Sequence, residues 1–257
     1  MKTIPVIRIK PYKFSFNTRR DVKTKQAETS KSVDKTKSSK NIIGVAYKEG
    51  TRWIVVPLDS SIAKQKSPEV VKMLNDTFRT YPKLKQEIEK REKQWRKQRR
   101  IPVFFNMSYT EAERRYGYLP YVVGYPLDSS SNPLQMGGSR GGRIGIDDIP
   151  QWEIDKINEV RKKMGVPTKL KKTDLVAFTI LHELKHEDQL LGARSFRGQQ
   201  LDYQKYRHKF ERKYKGVSPE KLVSDEGAAK LYIEENPYEK EAYEYGLRKL
   251  KEMRKRS

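Results

Sequence analysis

The chain has 257 residues, enough for one sizeable core or a main domain with a smaller attachment. It carries 56 Lys and Arg against 33 Asp and Glu, a formal net charge of +23, and it has no cysteine. Disulfide scaffolds, Cys-ligated zinc, iron–sulfur clusters and cysteine nucleophiles are excluded, and any metal must be held by His, Asp or Glu.

The charge excess suits a nucleic acid, an anionic surface or an acidic protein as neighbour, or it serves solubility alone. Hydrophobic and charged residues each make up 35% of the chain, so a folded body with solvated segments is expected. No run approaches the roughly 20 apolar residues that cross a bilayer, and no membrane partner is expected. "MKTIPVIRIKPYKF" is too short and too interrupted for a signal peptide, so the chain reads as soluble and cytoplasmic.

Residues 1–40 hold twelve Lys/Arg against three Asp/Glu. The part from 18 to 40 lacks hydrophobic periodicity and reads as a flexible basic arm. "NIIGVAYKEGTRWIVVPL" (41–58) predicts a hairpin, with two β-branched runs flanking Lys48-Glu49-Gly50. Ser67-Pro68 predicts a capped helix start, with the helix running towards Thr80.

Pro82 opens a further helix that carries nine Lys/Arg (83, 85, 90, 91, 93, 96, 97, 99, 100) against Glu87, Glu89 and Glu92. It reads as an exposed helix laced with i,i+4 ion pairs, or as a face turned to phosphate. Residues 41–100 are thus expected to form an accessory unit of hairpin plus basic helices, before a main domain at 101–257.

"RIPVFFN" and "GYLPYVVGYPL" read as strands, 128–142 as a loop by composition, and "RIGID" (143–147) as a short strand. The glycine cluster within 128–142 fits neither GxxxxGK[ST] nor GxGxxG. A helix follows in which Ile154, Ile157, Val160 and Met164 share a face, ended by Gly165.

The segment "TDLVAFTILHELKHEDQLLG" then predicts a helix with Thr173 as cap and Gly192 at the exit. His182 and His186 lie one turn apart on one face, so both imidazoles can reach one ion. Glu183 sits about 100° round, placed to act on a water without ligating the metal. This is the mechanical content of HExxH: two ligands and a general base on one rigid element.

The competing reading is a solvated helix with two incidental histidines. With three histidines in the chain, a chance match is on the order of one in several hundred. The extended form HExxHxxGxxH fails, because Gln189 and Gly192 stand at its later positions. His208, the remaining histidine, sits among basic and aromatic residues and is expected to be exposed or structural.

A carboxylate is the better candidate for the third ligand of a catalytic zinc. "EENPYEKEAYEYG" (234–246) starts a helix with Asn236 as cap and Pro237 at the first position. Here the chain resembles the gluzincins, zinc peptidases with HExxH on one helix and a glutamate ligand on a later one, often within ExxA. Glu239-Lys240-Glu241-Ala242 fits ExxA, and the resemblance names Glu239 as the ligand, with Glu241 and Glu244 as rivals. Glu239 could instead complete a capping arrangement with Asn236. Tyr243 stands where those families often carry Asp or Asn.

The resemblance covers roughly residues 140–250. It implies an α+β, zincin-like fold: a small mixed sheet packed on the active-site helix, with a later helix bringing the glutamate. It also implies that "GGRIGID" is a sheet edge that pairs with an extended peptide substrate. The expected activity is peptide-bond hydrolysis, with Zn²⁺ held by His182, His186 and Glu239 and with Glu183 as general base. Tyr232, Tyr243, Tyr245 and His208 are candidates for stabilising the oxyanion.

A rival expectation is a basic nucleic-acid-binding or assembly protein on the same fold, using its basic tails and helix. A third is an enzyme whose residues 1–60 cover the cleft.

Overall fold

The computed structural model of the chain describes residues 42–98, 102–104, 107–108, 120–126, 137–139, 144–163, 169–192, 205–206, 208–210, 212–215, 217 and 235–254. The basic arm at 1–40, Tyr232, Met164, Gly165 and most of the 128–142 segment lie outside these residues.

The first half contains β1 (Ile43–Glu49), β2 (Arg52–Pro57), α1 (Ser61–Lys66), α2 (Pro68–Thr80) and α3 (Pro82–Gln98). Next come β3 (Pro102–Phe104), β4 (Met107–Ser108), β5 (Val122–Tyr125), β6 (Gly137–Ser139) and β7 (Ile144–Asp147). Three long helices follow: α4 (Gln151–Lys163), α5 (Lys172–Gly192) and α6 (Pro237–Arg254). The fold is α+β.

β1 and β2 form the expected antiparallel hairpin, with Gly44 opposite Pro57 and Glu49 opposite Arg52. Gly50 turns it at φ 60, a conformation that costs glycine no Cβ clash. β1 then pairs in parallel with β5, β5 in parallel with β7, and β7 antiparallel with β6. The five-stranded sheet has the order β2-β1-β5-β7-β6, and β3 and β4 form a separate two-stranded pair.

This topology changes two expectations. The hairpin is an edge of the main sheet rather than part of an accessory unit, and one hydrophobic cluster runs from Ile42 to Leu250. The boundary at residue 100 therefore separates neither sheets nor cores. Secondly, the "GGRIGID" strand is internal. The segment read as a loop contains β6, which doubles back along β7 and takes the edge position itself.

The sheet packs helices on one face by simple alternation. Val122 belongs to the main core, and a Cβ on Gly124 would lie 2.5 Å from Val70 of α2 and 2.9 Å from Leu74. Glycine is what lets α2 approach β5 so closely. Ala46, Val123 and Tyr125 point the other way and form a small second cluster with Trp53 and Val55. Ser67 precedes α2 as expected but does not cap it; its hydroxyl donates to the Ala46 carbonyl at 3.0 Å instead.

α5 is the central element, packing on α2, α3, α6, β6 and β7. Residues 174–184 are buried without a break, which a helix achieves only when neighbours surround it. This burial rules out the solvated-helix reading of the two histidines. Thr173 lies inside the first turn rather than at its cap. Asp174 closes the helix start by accepting from the Lys171 backbone N–H at 2.8 Å, a contact that also complements the helix dipole.

Candidate metal centre

His182 and His186 occupy successive turns of α5, and their Nε2 atoms lie 2.9 Å apart. The third group arrives on α6. Asn236 caps that helix, its Oδ1 accepting from the Tyr238 N–H at 3.1 Å and the Glu239 N–H at 3.5 Å. Pro237 supplies the first helical residue, so Glu239 falls in the first turn. Its carboxylate points across to α5.

Close helix packing makes this meeting possible. A Cβ on Gly246 of α6 would sit 3.0 Å from the Phe178 ring. Tyr243 meets the same ring edge-on, with centroids 5.4 Å apart. Phe178 is one turn before His182, so the same packing that seats α6 also holds the first histidine's side of α5.

Glu239 Oε2 lies 3.2 Å from His182 Nε2 and 3.5 Å from His186 Nε2. A tetrahedral ion with bonds of about 2.05 Å needs ligand–ligand edges of about 3.3 Å. Edges of 2.9, 3.2 and 3.5 Å bracket that value. His182 is 1% exposed and Glu239 0%. The buried group His182, His186 and Glu239 could hold a metal ion.

The electrostatics agree with the donor set. Burial pushes the His186 imidazole down, but the Glu239 and Glu183 carboxylates and Gln189 outweigh it, raising its pKa to about 9. Burial pushes Glu239 up, yet the two imidazoles hold its carboxyl well below the usual carboxylate range. A proton shared by the cluster does the neutralising that a bound cation would do, and a metal would displace it.

Gln189 fixes the orientation of His186. Its amide nitrogen donates to the Tyr238 carbonyl at 3.0 Å and to Glu241 Oε2 at 2.9 Å. The amide oxygen therefore faces His186 Nδ1 at 2.8 Å, and that Nδ1 is the donor. His186 Nε2 is left to address the metal position. Among the described residues, His182 Nδ1 has no hydrogen-bond partner.

Sequence reasoning gave Gln189 no role beyond breaking the longer histidine motif. Its i+3 spacing from a ligand on the same helix was the available signal.

Glu183 is 1% exposed and close enough to His186 to raise that group's pKa. Glu241 points away: it pairs with Lys185 at 2.7 Å, and its side chain is 55% exposed. Glu244 and His208 are exposed as well.

Tyr245 turns towards α3, where its hydroxyl donates to Glu87 at 3.0 Å and accepts from Arg91 at 3.2 Å. Tyr243 packs edge-on against Phe178. Neither tyrosine belongs to the group of three, and the fourth candidate, Tyr232, lies outside the described residues.

The chain matches no protein-family model, no curated protein and no solved structure. Among the described residues, two imidazoles and a carboxylate are the three groups brought together here.

Proposed function

We propose that the protein is a zinc-dependent metallopeptidase of gluzincin type, with a zincin-like arrangement of sheet and helices. The observation that carries this reading is the buried triangle of His182, His186 and Glu239, with edges matched to a tetrahedral ion. Three nitrogen and oxygen donors with no sulfur suit zinc, and the chain has no thiol to offer a softer site. Bound zinc would lower the pKa of a water and polarise the scissile carbonyl.

The chain's own groups divide the remaining work. Glu183, buried beside His186, accepts the proton of the attacking water and delivers it to the leaving amine. Gln189 keeps the Nδ1 proton of His186 in place. β6, the antiparallel edge strand packed beside α5, offers its outer backbone to an extended peptide. This moves the substrate-pairing role from "GGRIGID" to Gly137–Ser139.

Elemental analysis of identically purified variants tests the centre. About one zinc per chain is expected in the wild type and in Glu241→Ala, and its loss in His182→Ala and Glu239→Ala. Glu183→Gln should keep its zinc while cleavage of an unfolded protein substrate falls by on the order of 10²–10⁴-fold. A wild type that takes up no zinc on reconstitution would end the peptidase reading. Zinc loss in Glu241→Ala but not in Glu239→Ala would reassign the third ligand.

A further inference from the structure

α3 sorts its charges by face. Leu84, Ile88 and Trp95 anchor it in the core. Two of its three acids turn inward as well: Glu92 is 1% exposed, and Glu87 bonds to the Tyr245 hydroxyl. Arg91 also points inward, meeting Asp188 of α5 at 2.7 Å and Glu87 at 3.6 Å. The i,i+4 pairing expected along this helix is thus seen between Arg91 and Glu87, on the inner side.

The outer face carries lysines. Lys83, Lys90, Lys93 and Lys97 are all exposed and fall within an arc of about 80° at 100° per residue. Gln86 lies among them, and half-buried Glu89 lies at the flank. Among the described residues, none of the four lysines has a hydrogen bond or an ion pair at contact distance, and only Lys90 lies near enough to a carboxylate, Asp188, to lower its pKa. Like charges at these spacings repel one another and weaken a helix, so the stripe is a local cost that an anionic partner would offset.

We infer that this face of α3 docks on the phosphate backbone of a duplex nucleic acid. The stripe is about 21 Å long at 1.5 Å per residue, which is about six base-pair steps of 3.4 Å. Lysine ammonium groups are point charges that suit phosphate contact without base reading. The helix's one ring, Trp95, is buried, so the face has no platform for stacking unpaired bases. Its apolar side chains are buried in the protein's own core, which leaves none to enter a lipid bilayer. The Arg91–Asp188 pair ties the docking helix directly to the helix that carries both histidines.

The test uses the full chain and a labelled duplex of about 20 base pairs, as DNA and as RNA. Single strands and phosphatidylserine vesicles serve as further arms, all read between 50 and 200 mM salt. One variant combines Lys83→Gln, Lys90→Gln, Lys93→Gln and Lys97→Gln. A charge-matched control combines Lys64→Gln, Lys66→Gln, Lys162→Gln and Lys251→Gln, exposed lysines elsewhere.

The stripe variant should bind the duplex at least tenfold more weakly. Its log–log salt slope should flatten by about 3 to 4, near 0.9 for each phosphate no longer neutralised. The control should keep both, and Glu183→Gln should leave the slope unchanged, which separates this inference from the peptidase reading. The duplex bound more tightly names the source of the phosphates. Equal weakening in the control would assign binding to net charge alone and overturn the inference. So would an unchanged stripe variant, or a stripe effect confined to single strands or vesicles.

Discussion

Gln189 reaches three partners from one side chain: His186 on its own helix, and the Tyr238 carbonyl and Glu241 carboxylate on α6. Because both amide hydrogens are engaged on α6, the amide cannot flip without losing two bonds. His186 is thereby locked in the tautomer that offers Nε2. Replacing Gln189 with Leu should weaken metal affinity by about 10–100-fold, read by competition with a chelator. Glu241→Gln, which keeps an acceptor oxygen, should leave it nearly unchanged. At this scale much of the centre was legible. HExxH spacing places two imidazoles on any helix, whereas the Gln189 bridge depends on α6 lying alongside, which no local pattern encodes.

Asp147 ends β7 and Glu153 lies in the first turn of α4, with three residues between the two elements. Both are buried. Burial alone raises the Asp147 carboxyl to about 7, and burial reinforced by Asp147 raises Glu153 to about 8. Raised acid pKa values mean that the folded chain holds protons which the unfolded chain releases. Their stabilising contribution is present below the ordinary carboxylate range and is lost as pH rises through 7 and 8. Thermal unfolding should therefore shift down between pH 5 and pH 8.5. Glu153→Gln should flatten that dependence, removing on the order of 2–4 kcal/mol of it. Element existence was readable where the local signal was regular, from apolar runs in the β1–β2 hairpin and α5 and from Pro68 at the start of α2. β6 was not, because Gly137, Gly138 and Ser139 show no alternation and only their pairing with β7 makes them a strand.

Taken whole, the molecule is organised around α5, whose two ends are secured differently. At its start, Asp174 accepts from Arg254 at 2.7 Å and from the Tyr81 hydroxyl, joining the ends of α2 and α6 to one carboxylate. Burial, the largest single influence, pushes that carboxyl up, but the Lys171 backbone N–H, the Tyr81 hydroxyl and Arg254 together hold it below its usual range. At the other end, the centre itself joins α5 to α6. Composition pointed to a separate accessory unit because residues 41–100 are basic, yet charge describes only the surface of these elements. Their inward faces feed the same core as the rest. No helix among the described residues is long and apolar enough to cross a membrane.

His186 and Glu239 stand fifty-three positions apart in the chain. A metal joining them would act as a removable cross-link. Unlike a disulfide, it would leave when the chain unfolds, so its stabilisation is set by its affinity, about 4 kcal/mol at a free metal concentration about a thousand times the Kd. Chelation should therefore lower the melting temperature of the zinc-loaded wild type by on the order of 10 °C, while leaving Glu239→Ala unmoved. Loop-closure cost grows only with the logarithm of length. Insertions between the two ligands should thus cost little, about 0.6 kcal/mol for each doubling of the loop. A single cleavage there should leave the two halves associated through the packed faces of α5 and α6, and more tightly with the metal bound than without it.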